Sequence, residues 1–202
     1  MASPVSVGKL VAINRVLERE GLLVLNDRGQ PDLARTKAFY PASNNFYLLI
    51  NSTARKNGIV TQEQRPSIAK KLRTALLGIR DADNAVITAL YDAQSDGEQM
   101  GIGGEAGGDI YLDLLPGYEF DARTGPGEII TLREPHGTHG FNPARPSMRT
   151  IMVLNGPGVD PGKRIKNVRL IDFAPTVARL LELPPPKNAA GRVLQEALSG
   201  HR

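Results

Sequence analysis

Residues 134–140 read Glu134-Pro135-His136-Gly137-Thr138-His139-Gly140, and how this stretch is taken decides the fold. It holds two of the three histidines in the chain. Gly137 and Gly140 bracket His139, so the backbone can approach a ligand closely, and a neutral imidazole in such a turn is a metal donor. Spacing alone carries little weight. A His-x-x-His pair in a loop is ordinarily two solvated side chains, and a catalytic zinc takes three protein ligands. The other imidazole is His201, beside the C-terminal residue. Asp109, Asp113 and Asp121 are carboxylates that could join it, but nothing in the sequence puts them beside the histidines.

Working outward, residues 128–132 read as a strand that enters a long loop over 133–147. Arg149-Thr150-Ile151-Met152-Val153-Leu154 is β-branched enough for a further strand. Asp172 is placed to cap a final helix, with Pro175 in its first turn, Val177, Leu180 and Leu181 facing inward, and Pro184-Pro185-Pro186 stopping it. On the other side, residues 109–115 form a strand ended by Pro116-Gly117. The run Gly101-Ile102-Gly103-Gly104-Glu105-Ala106-Gly107-Gly108 precedes that strand and lacks the Lys-Ser/Thr of a phosphate loop, so it reads as a connector.

Further upstream, residues 85–91 form a strand. Ile68, Leu72, Leu76 and Ile79 mark one face of a helix over about 62–79, with Lys70, Lys71 and Arg73 outside. Phe46-Tyr47-Leu48-Leu49-Ile50 is a buried strand. Leu10, Ile13, Val16 and Leu17 repeat at helical spacing, which gives a helix over about 7–20 with Gly21 as its C′ residue. Residues 22–25 form a short strand closed by the turn Asn26-Asp27-Arg28-Gly29. Asn44, Asn45 and Asn51 could line a cleft, although turn and strand-end roles explain them equally well. Helices alternate with strands, the pattern of an α/β chain whose sheet is covered by helices.

Composition narrows the chemistry. With no cysteine, disulfides, thiolate metal sites and a cysteine nucleophile are excluded. Lys and Arg total 25 against 21 acidic residues, a net charge of +4 that is scattered rather than gathered into a nucleic-acid arm. Without a basic stripe or stacking aromatics, no nucleic acid is expected as a partner. No run of apolar residues is long enough to span a membrane. The first residues lack the basic and apolar blocks of a signal peptide, and the compartment stays open.

Gly137-Thr138-His139-Gly140-Phe141, then Pro146-Ser147-Met148-Arg149-Thr150-Ile151, then Asn155-Gly156-Pro157-Gly158 resemble the type I phosphodiesterases/nucleotide pyrophosphatases of the alkaline phosphatase superfamily. Asn167-Val168-Arg169-Leu170-Ile171-Asp172-Phe173-Ala174-Pro175-Thr176 and the segment Leu181-Glu182-Leu183-Pro184 ahead of Gly191-Arg192-Val193-Leu194 continue the likeness. The ordered set covers about residues 109–196, and residues 1–17 resemble the segment that follows the family's Asp-His-Gly motif.

The resemblance implies a partial three-layer α/β/α sandwich, the C-terminal half of the core, with a small α/β cap insert. Residues 1–31 and 106–202 would belong to the metal-bearing core and 32–105 to the cap. It implies two divalent metal ions of the zinc type, a Thr or Ser nucleophile and a small-molecule phosphate-ester substrate. His139 matches the ligand of the family's Gly-x-His-Gly loop and is the one ligand carried over. His136 has no counterpart there and is read either as a solvated side chain, which is preferred, or as one that supports a metal ligand from behind. No Asp-His-Gly triplet occurs in this sequence, so the nucleophile and the other ligands are expected before residue 1, with a separate N-terminal half as a possible partner. On that expectation the chain alone is inactive. The other reading is a non-catalytic remnant or docking module.

Overall fold

The computed structural model of the chain describes residues 5–41 and 46–200. They fall into two compact units, one ending at Arg149 and the other beginning at Thr150. In chain order the first contains β1 (Val5–Ala12), α1 (Ile13–Arg19), β2 (Ala38–Phe39), β3 (Tyr47–Ile50), α2 (Arg65–Leu77), β4 (Arg80–Asp81), β5 (Asn84–Ala85), β6 (Ile87–Asp92), α3 (Ala93–Met100), β7 (Ile110–Leu114), β8 (Tyr118–Asp121) and β9 (Ile130–Thr138). The second contains α4 (Phe173–Leu180), with short 3₁₀ turns at Leu170–Asp172 before it and Gln195–Ala197 after it, and a further 3₁₀ turn, Pro146–Met148, closes the first. The chain is mixed α/β, in keeping with a partial α/β sandwich.

β1 is the middle strand of a sheet ordered β8-β1-β9, parallel to β8 and antiparallel to β9. The helix expected over 7–20 is therefore a strand in its first half and begins only at Ile13. The β-branched Val7 and Val11 favour extended backbone, and Gly8 is a poor helix former. Both valines are fully buried. α1 is held by Asn14, whose amide donates to the Tyr40 and Ala122 carbonyls at 3.0 and 3.1 Å and accepts from the Tyr40 N–H at 2.8 Å. Gly21 ends the helix in the left-handed region, φ +63°, as a C′ glycine does. Residues 22–25 make only an isolated bridge from Leu25 to Pro31, in place of the expected strand, although Leu22 and Leu23 are buried.

A second sheet is ordered β2-β3-β7-β6 and is antiparallel throughout. β7, from the stretch 106–202, thus joins a sheet whose other strands lie within 32–105. α2 buries Ile68, Leu72 and Leu76, and Ile79 is buried just beyond its end. These side chains share one core with Leu48, Ile50, Ile87 and Ile110. Each such burial contributes about 2 kcal/mol.

In the second unit Leu194, Ala197 and Leu198 form a small cluster, with Met152, Leu154, Ile165, Val168, Leu180 and Val193 packed against it. The strand expected over 149–154 does not form, because among the described residues no neighbouring strand pairs with it. α4 buries Pro175, Thr176 and Ala178 rather than the expected Leu181, which is 61% exposed. Asp172 does not cap α4. Its carboxylate accepts from the Arg169 and Arg192 backbone N–H groups at 2.8 and 3.0 Å, tying two loops together.

Candidate functional site

The expected loop over 133–147 is shorter than the sequence indicates, because β9 continues through Thr138 and pairs along β1 from Val5 to Val11. His139 is the first residue beyond β9, exposed, with no hydrogen bond or ion pair to another described residue. Gly140 follows at φ +89°, and a Cβ there would lie 1.9 Å from Cε2 of Phe46. The glycine is needed for the turn and for contact with Phe46, which packs on Phe141 with ring centroids 5.8 Å apart. Its freedom serves packing, whereas the sequence suggested approach of a ligand.

His136 is not a solvated side chain. Its Nε2–H donates to Oε2 of Glu119 at 3.0 Å, and its Nδ1 is buried without a partner. Glu119, on β8, also accepts from Arg133 Nη1 at 3.1 Å and from Thr138 Oγ1 at 3.0 Å. One carboxylate therefore gathers three side chains of β9 across the intervening β1. Nearby, burial first, and then the negative charges of Glu119 and Asp121, push the Tyr40 phenol up to about 12.

Beyond the turn, Arg145 closes the loop onto the second sheet. Its Nη2 donates to Asp113 Oδ2 at 2.7 Å and to the Leu114 carbonyl at 2.6 Å, and its guanidinium lies 5.5 Å from the Phe141 ring centroid. Asn142 Nδ2 donates to the Tyr91 hydroxyl at 3.3 Å. The carboxylates weighed as possible ligands each meet a guanidinium: Asp109 pairs with Arg55 at 3.0 Å, Asp113 with Arg145, and Asp121 with Arg123. Among the described residues no group of three His, Asp or Glu side chains is placed to hold a metal ion. His139 is one donor at a strand end and is not joined there by others.

The remaining sequence candidates have structural roles or lie outside the described residues. Asn51 is buried, with its amide donating to the Leu33 and Thr36 carbonyls at 2.7 and 2.9 Å. Asn44, Asn45 and His201 are among the residues not described. Lys70 and Lys71 are exposed on α2, where Lys71 reaches the Glu20 carbonyl, and Arg73 Nη2 donates to the Leu90 carbonyl at 3.3 Å. The residue missed by sequence reasoning is Glu119. The alternation Tyr118-Glu119-Phe120-Asp121, with both aromatics buried, was the available sign of a strand presenting that carboxylate.

No family model matches the chain, and no solved structure matches it. Over 63 residues it is 38% identical to the 2,3-bisphosphoglycerate-independent phosphoglycerate mutases of three strains of Cereibacter sphaeroides. The match takes in 31% of this chain and 11% of each mutase, so the chain is similar to only a small part of those proteins. The mutases belong to the alkaline phosphatase superfamily.

Proposed function

We propose that this chain is the C-terminal portion of a metal-dependent phosphoesterase of the alkaline phosphatase superfamily, contributing His139 to a two-cation site completed by polypeptide outside this sequence. The observation that carries the reading is the 63-residue likeness to the mutases, which reaches the superfamily that the motif order around His139 also implies. The placement of His139 supports it: an exposed imidazole immediately after a strand end is free to accept a cation. In this reading residues 1–31 and 106–202 belong to the core and 32–105 to a cap. The cations are of the zinc type, the substrate is a small phosphate ester, and a Thr or Ser nucleophile comes with the N-terminal half.

The described residues do not by themselves fit a metal, since one imidazole falls short of the three protein ligands a catalytic zinc takes. No catalytic step is therefore assigned to them. A second reading, a non-catalytic docking module, is favoured by the ion pairs that occupy Asp109, Asp113 and Asp121.

The two readings part in a complementation assay. The chain is mixed with a polypeptide that carries the resembled family's Asp-His-Gly and nucleophile motifs, and zinc-dependent release of 4-nitrophenol from 4-nitrophenyl phosphate is followed. The phosphoesterase reading expects activity only from the mixture, falling at least about tenfold with His139→Ala. A mixture that is inactive, or whose activity ignores His139, supports the docking module instead.

A further inference from the structure

The sequence contains two Asn-Gly pairs, Asn57-Gly58 and Asn155-Gly156. In such a pair the glycine nitrogen can attack the asparagine side-chain carbonyl, because no glycine side chain hinders the approach. The attack needs a free N–H on the glycine and a backbone that can swing that nitrogen onto Cγ. The structure meets these needs at one pair and denies them at the other.

Asn57-Gly58 is locked. The Gly58 N–H donates to the Arg55 carbonyl at 3.0 Å, and the Ile59 and Val60 N–H groups both donate to the Asn51 carbonyl at 2.8 Å. A Cβ on Gly58 would lie 1.8 Å from the Ser52 carbonyl oxygen, so that backbone is pressed against its neighbour. Asn57 itself is held at φ +60°. Asn155-Gly156 is open. Both residues are exposed, and among the described residues a Cβ on Gly156 would meet nothing within 4 Å. Among the same residues the Gly156 N–H has no backbone partner, and no hydrogen bond holds the Asn155 side chain.

We propose that Asn155 is a site of spontaneous deamidation in the folded chain and that Asn57 is protected from it. The Gly156 nitrogen bonds to Asn155 Cγ and gives up its proton to the side-chain amide, which leaves as ammonia. Water then opens the resulting succinimide ring, its hydroxyl joining one carbonyl carbon and its proton the ring nitrogen. Opening at Cγ gives aspartate. Opening at the main-chain carbonyl gives isoaspartate, which routes the backbone through an extra methylene. Either product places a carboxylate where the chain has no charge from residue 150 to 159. The turn also lies between two anchors of the small cluster in the second unit. Leu154 packs against that cluster, while Val159 bridges Leu198 and the Asp160 N–H donates to the Ala197 carbonyl at 2.9 Å. Isoaspartate lengthens the link between those anchors. This inference does not depend on the metal reading.

The test incubates the whole chain in mildly alkaline buffer, folded and in urea, and follows each pair by peptide mass spectrometry. Isoaspartate is counted separately by enzymatic carboxyl methylation. In urea both pairs should react at similar rates. In the folded chain Asn155 should stay within about threefold of its urea rate, while Asn57 slows about tenfold or more because its turn must first open locally. Asn155→Gln should remove most of the methylation signal, since glutamine closes the larger ring slowly. Equal slowing at both pairs, Asn57 reacting ahead of Asn155, or a methylation signal that survives Asn155→Gln overturns the proposal.

Discussion

Arg65 on α2 holds Asp92, the last residue of β6 and the cap before α3, through two hydrogen bonds of 3.0 and 2.7 Å. The Arg65 side chain is 5% exposed and that of Asp92 16%, so both charges are largely out of water. Asp92 also accepts from the Gln94 N–H at 2.9 Å, capping α3. Removing one member of such a pair strands the other charge. Arg65→Ala is expected to cost about 3 kcal/mol in urea denaturation, and a loss under about 1 kcal/mol would show the pair to be solvated.

The same pair sets a pH dependence. Burial works against the Asp92 charge, but the hydrogen bonds from Arg65 and Gln94 and the charges of Arg65 and Arg73 outweigh it, holding the carboxyl below its ordinary value. A carboxyl whose pKa is lower folded than unfolded adds stability that is complete above the unfolded value. That contribution fades as pH falls below about 4 toward the folded value. Urea midpoints measured from neutral pH down to acid should fall more steeply in the wild type than in Asp92→Asn. Parallel curves would remove Asp92 as a source of the acid sensitivity.

Gly140 and Phe46 form a second coupled pair. A methyl group at residue 140 needs a left-handed backbone and collides with the Phe46 ring. Gly140→Ala is therefore expected to lose about 2–3 kcal/mol of stability. Phe46→Leu in the same chain should return part of that loss, leaving the conformational share. Additive effects in this double-mutant cycle would refute the contact.

Elements whose signal is local were legible in the sequence. β3, α2 and β6 follow from apolar runs and from Ile68, Leu72 and Leu76 at helical spacing, and the turn at Asn26–Gly29 closes with Gly29 N–H donating to the Asn26 carbonyl at 2.9 Å. Elements created by distant pairing were not. β9 extends through Thr138 because β1 pairs with it from the far end of the chain, Val5 against Thr138, and that overrides the loop chemistry of Gly137. β1 itself was hidden because Leu10, Ile13 and Leu17 continue a helical spacing across a strand–helix junction. α3 was missed for lack of an apolar stripe: its sequence, AQSDGEQM, buries only Gly97. At the candidate site the position of His139 in a turn was readable, but the capture of His136 by Glu119 depends on sheet order and was not.

Thr176 is the buried link of the second unit. Its Oγ1–H donates to the Asp172 carbonyl at 2.6 Å, and the same oxygen accepts from the Leu194 N–H at 3.0 Å. Thr176→Val keeps the shape but leaves both partners unmet, at a cost of about 1–3 kcal/mol. Hydrogen exchange at the Leu194 amide should quicken more than at amides of α2. Equal changes in both places would indicate a general rather than a local effect.

The most direct measurement follows the ring resonances of the histidines by NMR as zinc is added to the isolated chain. A single imidazole donor predicts weak, unsaturated binding in the region of 1 mM, about 4 kcal/mol, with the His139 resonances moving first and the effect lost in His139→Ala. Stoichiometric binding at micromolar zinc, or a His139 ring that does not respond while others do, would contradict the assignment of His139 as one corner of a shared metal site.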